Sequence, residues 1–274
     1  MTRRPEGRER AARLDVALVR RGLARSRSHA VELIQAGRVR VGQRRAVKAA
    51  MPVPADVVVT VDQDAVEYVS RGGHKLAGAL AAFQPQGLRV TGRRCLDAGA
   101  STGGFTDVLL RAGASTVVAV DVGHDQLAPS LRAHPAVEVH ERTHVRDLTV
   151  ERIGGPVDLI VADLSFISLT HVLPTLSQLI VDDGDLVPLV KPQFEVGRDG
   201  LDRNGVVRDA ALRAHAVRKV AHAAAEVGLG VAGVVASPLP GPTGNREYFL
   251  WLRRGAAPLD EIELARVFAK ETSP

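Results

Sequence analysis

From Arg94 onward, five apolar runs of strand length, residues 95–98, 117–120, 137–139, 159–162 and 186–190, alternate with helical patterns. Such alternation predicts βαβ units, a mainly parallel sheet and helices on both faces, an α/β architecture. Four of the runs have a charged residue at their C-terminal end: Asp97, Asp121, Asp163 and Lys191. In open α/β sheets the ligand crevice lies along that edge, so these side chains are predicted to surround one site.

The turn after the first run reads "LDAGASTGGFT", residues 96–106, and opens a helix. Gly99, Gly103 and Gly104 let the backbone bend and come close to a ligand, with Ser101, Thr102 and Phe105 completing the loop. A dinucleotide loop would be G-x-G-x-x-G, whereas this one is G-x-x-x-G-G with an acid on the preceding strand. Asp97 would repel a pyrophosphate but can bind the amino group of the methionine moiety of S-adenosylmethionine. Asp121, followed by Val122, stands 24 residues further on and is placed to accept from the ribose hydroxyls of that cofactor. Loop and acid together resemble motifs one and two of class I methyltransferases. The family's adenine-contacting segment falls near "ERTHVRDL", where His144 stands in place of an asparagine and Asp147 follows.

Charge is distributed unevenly. Residues 1–62 carry 14 Lys+Arg against 6 Asp+Glu and the remainder 22 against 25, so the whole basic excess of a chain with net charge +5 lies in its first quarter. This predicts a polyanion-binding module attached to a mildly acidic body. Within it, residues 14–23 read as a short helix with Asp15 near its N-cap and Gly22 at its end. Ser26 caps a second helix that turns Ala30, Val31, Leu33 and Ile34 inward and stops at Gly37. Strands at 39–41 and 57–61 complete an α-α-β-β unit. The string "LVRRGLARSRSHAVELIQAGRVRVG" resembles the alpha-L, S4-like RNA-binding domain. That resemblance implies phosphate contacts by Arg13, Arg20, Arg25, Arg27, Arg38, Arg40 and Lys48, which position RNA without reading its sequence. The expected organisation is a binding domain over 1–62, a linker over 63–70 and a catalytic domain over 71–274.

No run approaches the roughly 18 to 20 apolar residues of a membrane-spanning helix, and the Arg-rich start lacks the apolar core of a secretory signal, so a cytoplasmic location is expected. Cys95 is the single cysteine, which excludes an internal disulfide or a thiolate zinc cluster and predicts a small core residue.

Four polar residues surround the predicted crevice: Lys75 in "SRGGHKL", Asp163 in "ADLSF", Lys191 in "VKPQFE" and Glu247 in "GNREYFLWL". The set resembles the Lys-Asp-Lys-Glu tetrad of FtsJ-type ribose 2′-O-methyltransferases. A ribose hydroxyl has a pKa of about 12 to 13, so its attack on a sulfonium methyl needs a positioned partner for the proton. Lys191 is the candidate, with Asp163 and Glu247 expected to orient its ammonium and Lys75 to supply charge near the hydroxyl or a neighbouring phosphate. Enzymes of this fold that methylate amines carry Asn/Asp-Pro-Pro-Tyr/Phe after the fourth strand. Here Asp163-Leu164-Ser165-Phe166 lacks both prolines, which favours oxygen methylation.

The strings "SRGGHKL", "DAGASTGGFT", "ADLSFISL", "VKPQFEVG" and "PLPGPTGNREYF", in this order behind the basic module, resemble the TlyA family. That resemblance implies a class I, Rossmann-like methyltransferase with a seven-stranded sheet, S-adenosylmethionine as cofactor, and methylation of cytidine 2′-hydroxyls in 16S and 23S ribosomal RNA within assembled subunits. It also implies a link to capreomycin and viomycin susceptibility. By the same resemblance Phe166 and Thr243 shape the cofactor pocket, Arg142 and Arg198 contact RNA, and the Tyr68 linker couples docking to cofactor binding. Competing readings are an RNA base methyltransferase, a haemolysin, a name attached to this family, and a non-enzymatic assembly factor.

Overall fold

The computed structural model describes residues 11–35, 37–46, 48–62 and 68–272. The chain divides into two compact units, with the boundary between Glu67 and Tyr68. Tyr68, Val69 and Ser70, read from sequence as the end of the linker, belong to the larger unit, where the Val69 N–H donates to Asp107 at 3.0 Å.

In the smaller unit, helices Leu14–Arg20 and Arg27–Gln35 pack on a three-stranded antiparallel sheet of Val39–Val41, Arg44–Arg45 and Val59–Val61, with Val39–Val41 in the centre. Leu14, Leu18, Ala30, Leu33, Ile34, Val39 and Val59 form its core. The first helix stops at Arg20, three residues early, because the Arg21 guanidinium turns to the carbonyls of Pro54, Ala55 and Val57 and Gly22 takes a φ of +70°. Asp15 does not cap this helix. Its carboxylate accepts from Arg13 at 3.1 Å and Arg27 at 2.9 Å, which holds it well below the usual carboxylate range. Ser26 does cap the second helix, accepting from the His29 N–H at 3.1 Å. Val31 is only half-buried, and the second long strand starts at Val59, since Val58 is exposed.

The larger unit is built on seven strands: β1 Arg94–Ala98, β2 Thr116–Val120, β3 Val137–His140, β4 Val157–Ala162, β5 Ile180–Val190, β6 Leu229–Ala236 and β7 Tyr248–Arg254. Their order is β3-β2-β1-β4-β5-β7-β6, parallel through the first five, with β7 antiparallel to both β5 and β6. Alternate residues of each strand face opposite layers. Cys95, Val117, Leu159, Val187 and Trp251 meet Phe83 of helix α1 (Gly72–Phe83) and Phe105 and Leu109 of α2 (Gly104–Arg111). Leu96, Val118, Ile160, Leu186 and Leu250 meet α3 (Leu173–Leu179), α4 (Ala210–Glu226) and Leu264 of α5 (Glu261–Thr272). Burial on both faces is why these strands read as uninterrupted apolar runs. Cys95 is part of this packing, and burial pushes its thiol up to about 12, so it stays neutral. Chain order reverses between β1 and β4. The loops leaving their C-terminal ends diverge there and open the crevice.

Candidate active site

The loop after β1 can take its path only with glycine at position 99. Its φ is +91°, and a Cβ there would sit 2.5 Å from the Asp163 carbonyl oxygen, so the loops after β1 and β4 touch backbone to backbone. Ser101, a non-glycine at φ +47°, turns its N–H onto Asp121 Oδ2 at 2.8 Å, and Gly123 donates to Oδ1 at 2.7 Å. Backbone strain of this kind is maintained where surrounding contacts over-determine it. The N-termini of α1 and α2 meet glycine to glycine: a Cβ on Gly104 would lie 2.8 Å from the Gly73 nitrogen. This approach carries Lys75, one turn into α1, to the same loop.

Two adjoining cavities result. The larger, about 870 Å³, is lined by Asp121, Val122, His144 and Phe166, the smaller, about 330 Å³, by Arg71, Lys75, Thr102, Gly104, Phe105 and Lys191. Gly99, Ser101, Asp163 and Ser165 line both. His144 Nδ1 accepts from the Arg146 N–H at 3.1 Å, and Phe166, at φ +63°, lies with its ring 5.3 Å from that of Phe194. Asp147 is exposed and lines neither cavity.

The four tetrad residues come together as two pairs, Lys75–Glu247 buried and Lys191–Asp163 partly so. Lys191 Nζ lies 2.6 Å from Asp163 Oδ1 and Lys75 Nζ lies 2.5 Å from Glu247 Oε2, with side-chain exposures of 10, 20, 6 and 1%. The expectation that Glu247 orients Lys191 is therefore corrected: its partner is Lys75. The second polar atom on Lys191 Nζ is Ser165 Oγ, which accepts from it at 3.0 Å. Asp163 Oδ1 has no hydrogen bond of good geometry despite its closeness to Nζ, so that pair is a charge contact rather than a directed bond.

Three predicted cofactor residues line neither cavity. Asp97 is fully buried: its Oδ2 accepts from the Thr106 hydroxyl at 2.7 Å, Oδ1 has no partner, and burial pushes the carboxyl up to about 7. Gly103 turns at φ +96° over Leu127 and Leu131. Thr243 lines neither cavity, although Pro242 beside it does, and its hydroxyl accepts from Asn245 at 3.1 Å.

Of the basic residues in the smaller unit, Arg13, Arg20, Arg25, Arg27, Arg40 and Lys48 are exposed. Arg38 is not: it is 9% exposed and its guanidinium donates to the Asp62 carbonyl at 2.6 Å, a structural role that corrects its place among the RNA contacts. Arg142, at φ +53°, and Arg198 are exposed on the larger unit.

Sequence reasoning missed Ser165, Glu195, Asn245 and Gly73. Buried Glu195 accepts from Ser168 Oγ at 2.5 Å and the Leu169 N–H at 2.8 Å, pinning the far end of the β4 loop to the segment that follows Lys191. Asn245 accepts from the Val207 N–H at 2.9 Å and donates to the Gly205 carbonyl at 2.9 Å, fixing the turn ahead of Glu247. Only Gly73 had a readable signal, the paired glycines of "SRGGHKL". Among the described residues no helix is long and apolar enough to cross a membrane.

The FtsJ-like methyltransferase family model matches residues 68–254 and the S4 domain model residues 12–59. A Mycobacterium tuberculosis protein named 16S/23S rRNA (cytidine-2′-O)-methyltransferase TlyA is 60% identical, covering 89% of this chain and 90% of its own length. Hemolysin A of Brachyspira hyodysenteriae is 37% identical over 86% of this chain and 97% of its own. A solved structure from Streptococcus thermophilus, provisionally named a hemolysin, superposes with a TM-score of 0.73 at 36% identity and 95% coverage of both chains. With this fold, these two charge pairs at the β1/β4 crevice and these relatives, the chain belongs to the FtsJ-like methyltransferase family, as a member of its S4-bearing TlyA group.

Proposed function

We propose that this enzyme transfers a methyl group from S-adenosylmethionine to the ribose 2′-hydroxyl of cytidine in 16S and 23S ribosomal RNA, in assembled subunits in the cytoplasm. The observation that carries this reading is the meeting of the two cavities along Asp163 and Ser165, with Lys191 on the acceptor side.

The larger cavity has the size of a small-molecule site, and its donor set fits the cofactor. Each Asp121 oxygen accepts one backbone N–H and keeps a lone pair for a ribose hydroxyl, and the unpartnered Asp97 Oδ1 is a buried acceptor behind the loop that would cradle the methionine end. Val122, His144 and Phe166 would flank the base. When bound, this cofactor supplies a methyl already activated by its sulfonium.

The smaller cavity takes the acceptor ribose. Lys191, bonded to Ser165 and lying beside Asp163, would hold the 2′-oxygen through an N–H and orient the lone pair that attacks; as the oxygen takes the methyl from the sulfonium, the hydroxyl proton would pass to the Asp163 carboxylate or to solvent. Arg71, Lys75 and Lys191 outnumber Asp163 and Glu247, leaving a net positive charge for the flanking phosphates. Arg142 and Arg198 on the body, and Arg13, Arg20, Arg25, Arg27, Arg40 and Lys48 on the small unit, would bind the RNA backbone. Absence of the modification would then account for capreomycin and viomycin resistance.

The test is transfer of tritiated methyl to intact small and large subunits by the wild type and by Lys191→Ala. The variant should bind cofactor normally and lose at least about a hundredfold in rate, the range of a positioned acid–base group. Full activity of the variant would contradict the assignment.

A further inference from the structure

Lys191 is the pivot of the site, yet its charge partner does not direct it. An ion pair draws Nζ toward Asp163 but sets no angle, and Oδ1 lacks a hydrogen bond of good geometry at 2.6 Å. The directed contact is the 3.0 Å bond to Ser165 Oγ. Ser165 lines both cavities, so it stands where a methyl donor and its acceptor would meet.

The framework around it is built to hold that contact. Ser165 follows Asp163 by two residues, and the next residue, Phe166, is forced to φ +63°. Four residues beyond Ser165, the Leu169 N–H is bonded to Glu195, and Ser168 bonds the other oxygen of the same carboxylate. Glu195 ends the short helix Pro192–Glu195 that begins directly after Lys191. The segments carrying Ser165 and Lys191 are thus tied at both ends: by the Nζ–Oγ bond inside the cavity and by Glu195 outside it. The role expected of Glu247 is vacant in this geometry, because Glu247 is engaged with Lys75.

We infer that Ser165 is the positioning residue for Lys191: by accepting one ammonium N–H it aims another at the acceptor oxygen. This rests on the proposed oxygen methylation at Lys191. It differs from a packing role, since the side chain lines open cavity and has one bond to the lysine.

The test uses the full chain with Ser165→Ala, Ser165→Thr and Lys191→Ala, reading single-turnover methyl transfer to ribosomal subunits, the KM for the subunit, and cofactor affinity by calorimetry. Ser165→Ala should lower kcat about tenfold, the scale of one hydrogen bond to a charged group, with KM and cofactor affinity within about twofold. Ser165→Thr, which keeps the hydroxyl and has room in the cavity, should recover most of the rate. A Ser165→Ala enzyme as fast as wild type, with Lys191→Ala inactive, overturns the inference and leaves the proposed function standing. Equal loss of cofactor affinity and rate in Ser165→Ala, or no recovery by Ser165→Thr, also overturns it in favour of loop structure. A fully active Lys191→Ala overturns both.

Discussion

Lys75 and Glu247 form a charge pair almost without solvent, so each is costly alone. Replacing Glu247 by Ala strands a buried ammonium, and the expected loss of stability is about 3–5 kcal/mol, read by urea unfolding. The double change Lys75→Met with Glu247→Leu should restore most of it without restoring methyl transfer, separating the pair's structural cost from its use. Asp97 gives a pH dependence of opposite sign to the usual carboxylate. Its folded value, about 7, lies above its unfolded one. Below about pH 4 it is protonated in both states. Between about 4 and 7 only the unfolded chain ionises, so stability declines as pH rises, and above about 7 the cost is constant. Asp97→Asn should flatten that decline in cofactor-free protein, and an unchanged profile would remove Asp97 as its source. Single residues at strand ends were legible in the sequence because the apolar runs announce where strands stop, which is how Asp163 and Lys191 were found. Partnership was not legible. Val190 of β5 pairs with Tyr248 of β7, which brings Glu247 beside Lys191 along the backbone, but its side chain crosses to Lys75 because α1 packs there through Gly73 and Gly104.

At the scale of elements, the βαβ repeat was readable from alternation alone, whereas β6 and β7 were not picked out as strands. Gly230 and Gly233 interrupt the apolar run of β6 in the sequence although the strand itself is continuous, and β7 joins the sheet antiparallel between two earlier partners, a placement no local pattern encodes. The two-loop contact at Gly99 is likewise a product of the switch point. Gly99→Ala forces a Cβ onto the Asp163 carbonyl at a φ that alanine resists, so cofactor affinity should fall more than tenfold, measured by calorimetry. Retained affinity would mean that the β1 and β4 loops can separate without loss. The small unit shows the same division: Ser26 was a readable cap, while the early end of the first helix depended on Arg21 reaching across to carbonyls more than thirty residues away.

For the whole molecule, the charge asymmetry predicts that RNA affinity is held mainly by the first unit and weakened by salt. Neutralising Arg25, Arg40 and Lys48 together as Gln should reduce the slope of log affinity against log salt by about 2. Arg38→Gln, by contrast, should destabilise the small unit by removing the two guanidinium bonds to the Asp62 carbonyl, and binding titrations beside thermal unfolding distinguish the two effects. The central claim, that the methyl goes to a ribose oxygen, has a direct chemical readout. A 2′-O-methyl group removes the internal nucleophile that lets alkali cleave the adjacent phosphodiester. After reaction of subunits with tritiated cofactor and complete alkaline hydrolysis of the RNA, the label should appear in an alkali-resistant dinucleotide whose 5′ member is cytidine. Label recovered in mononucleotides, on the base, would contradict it.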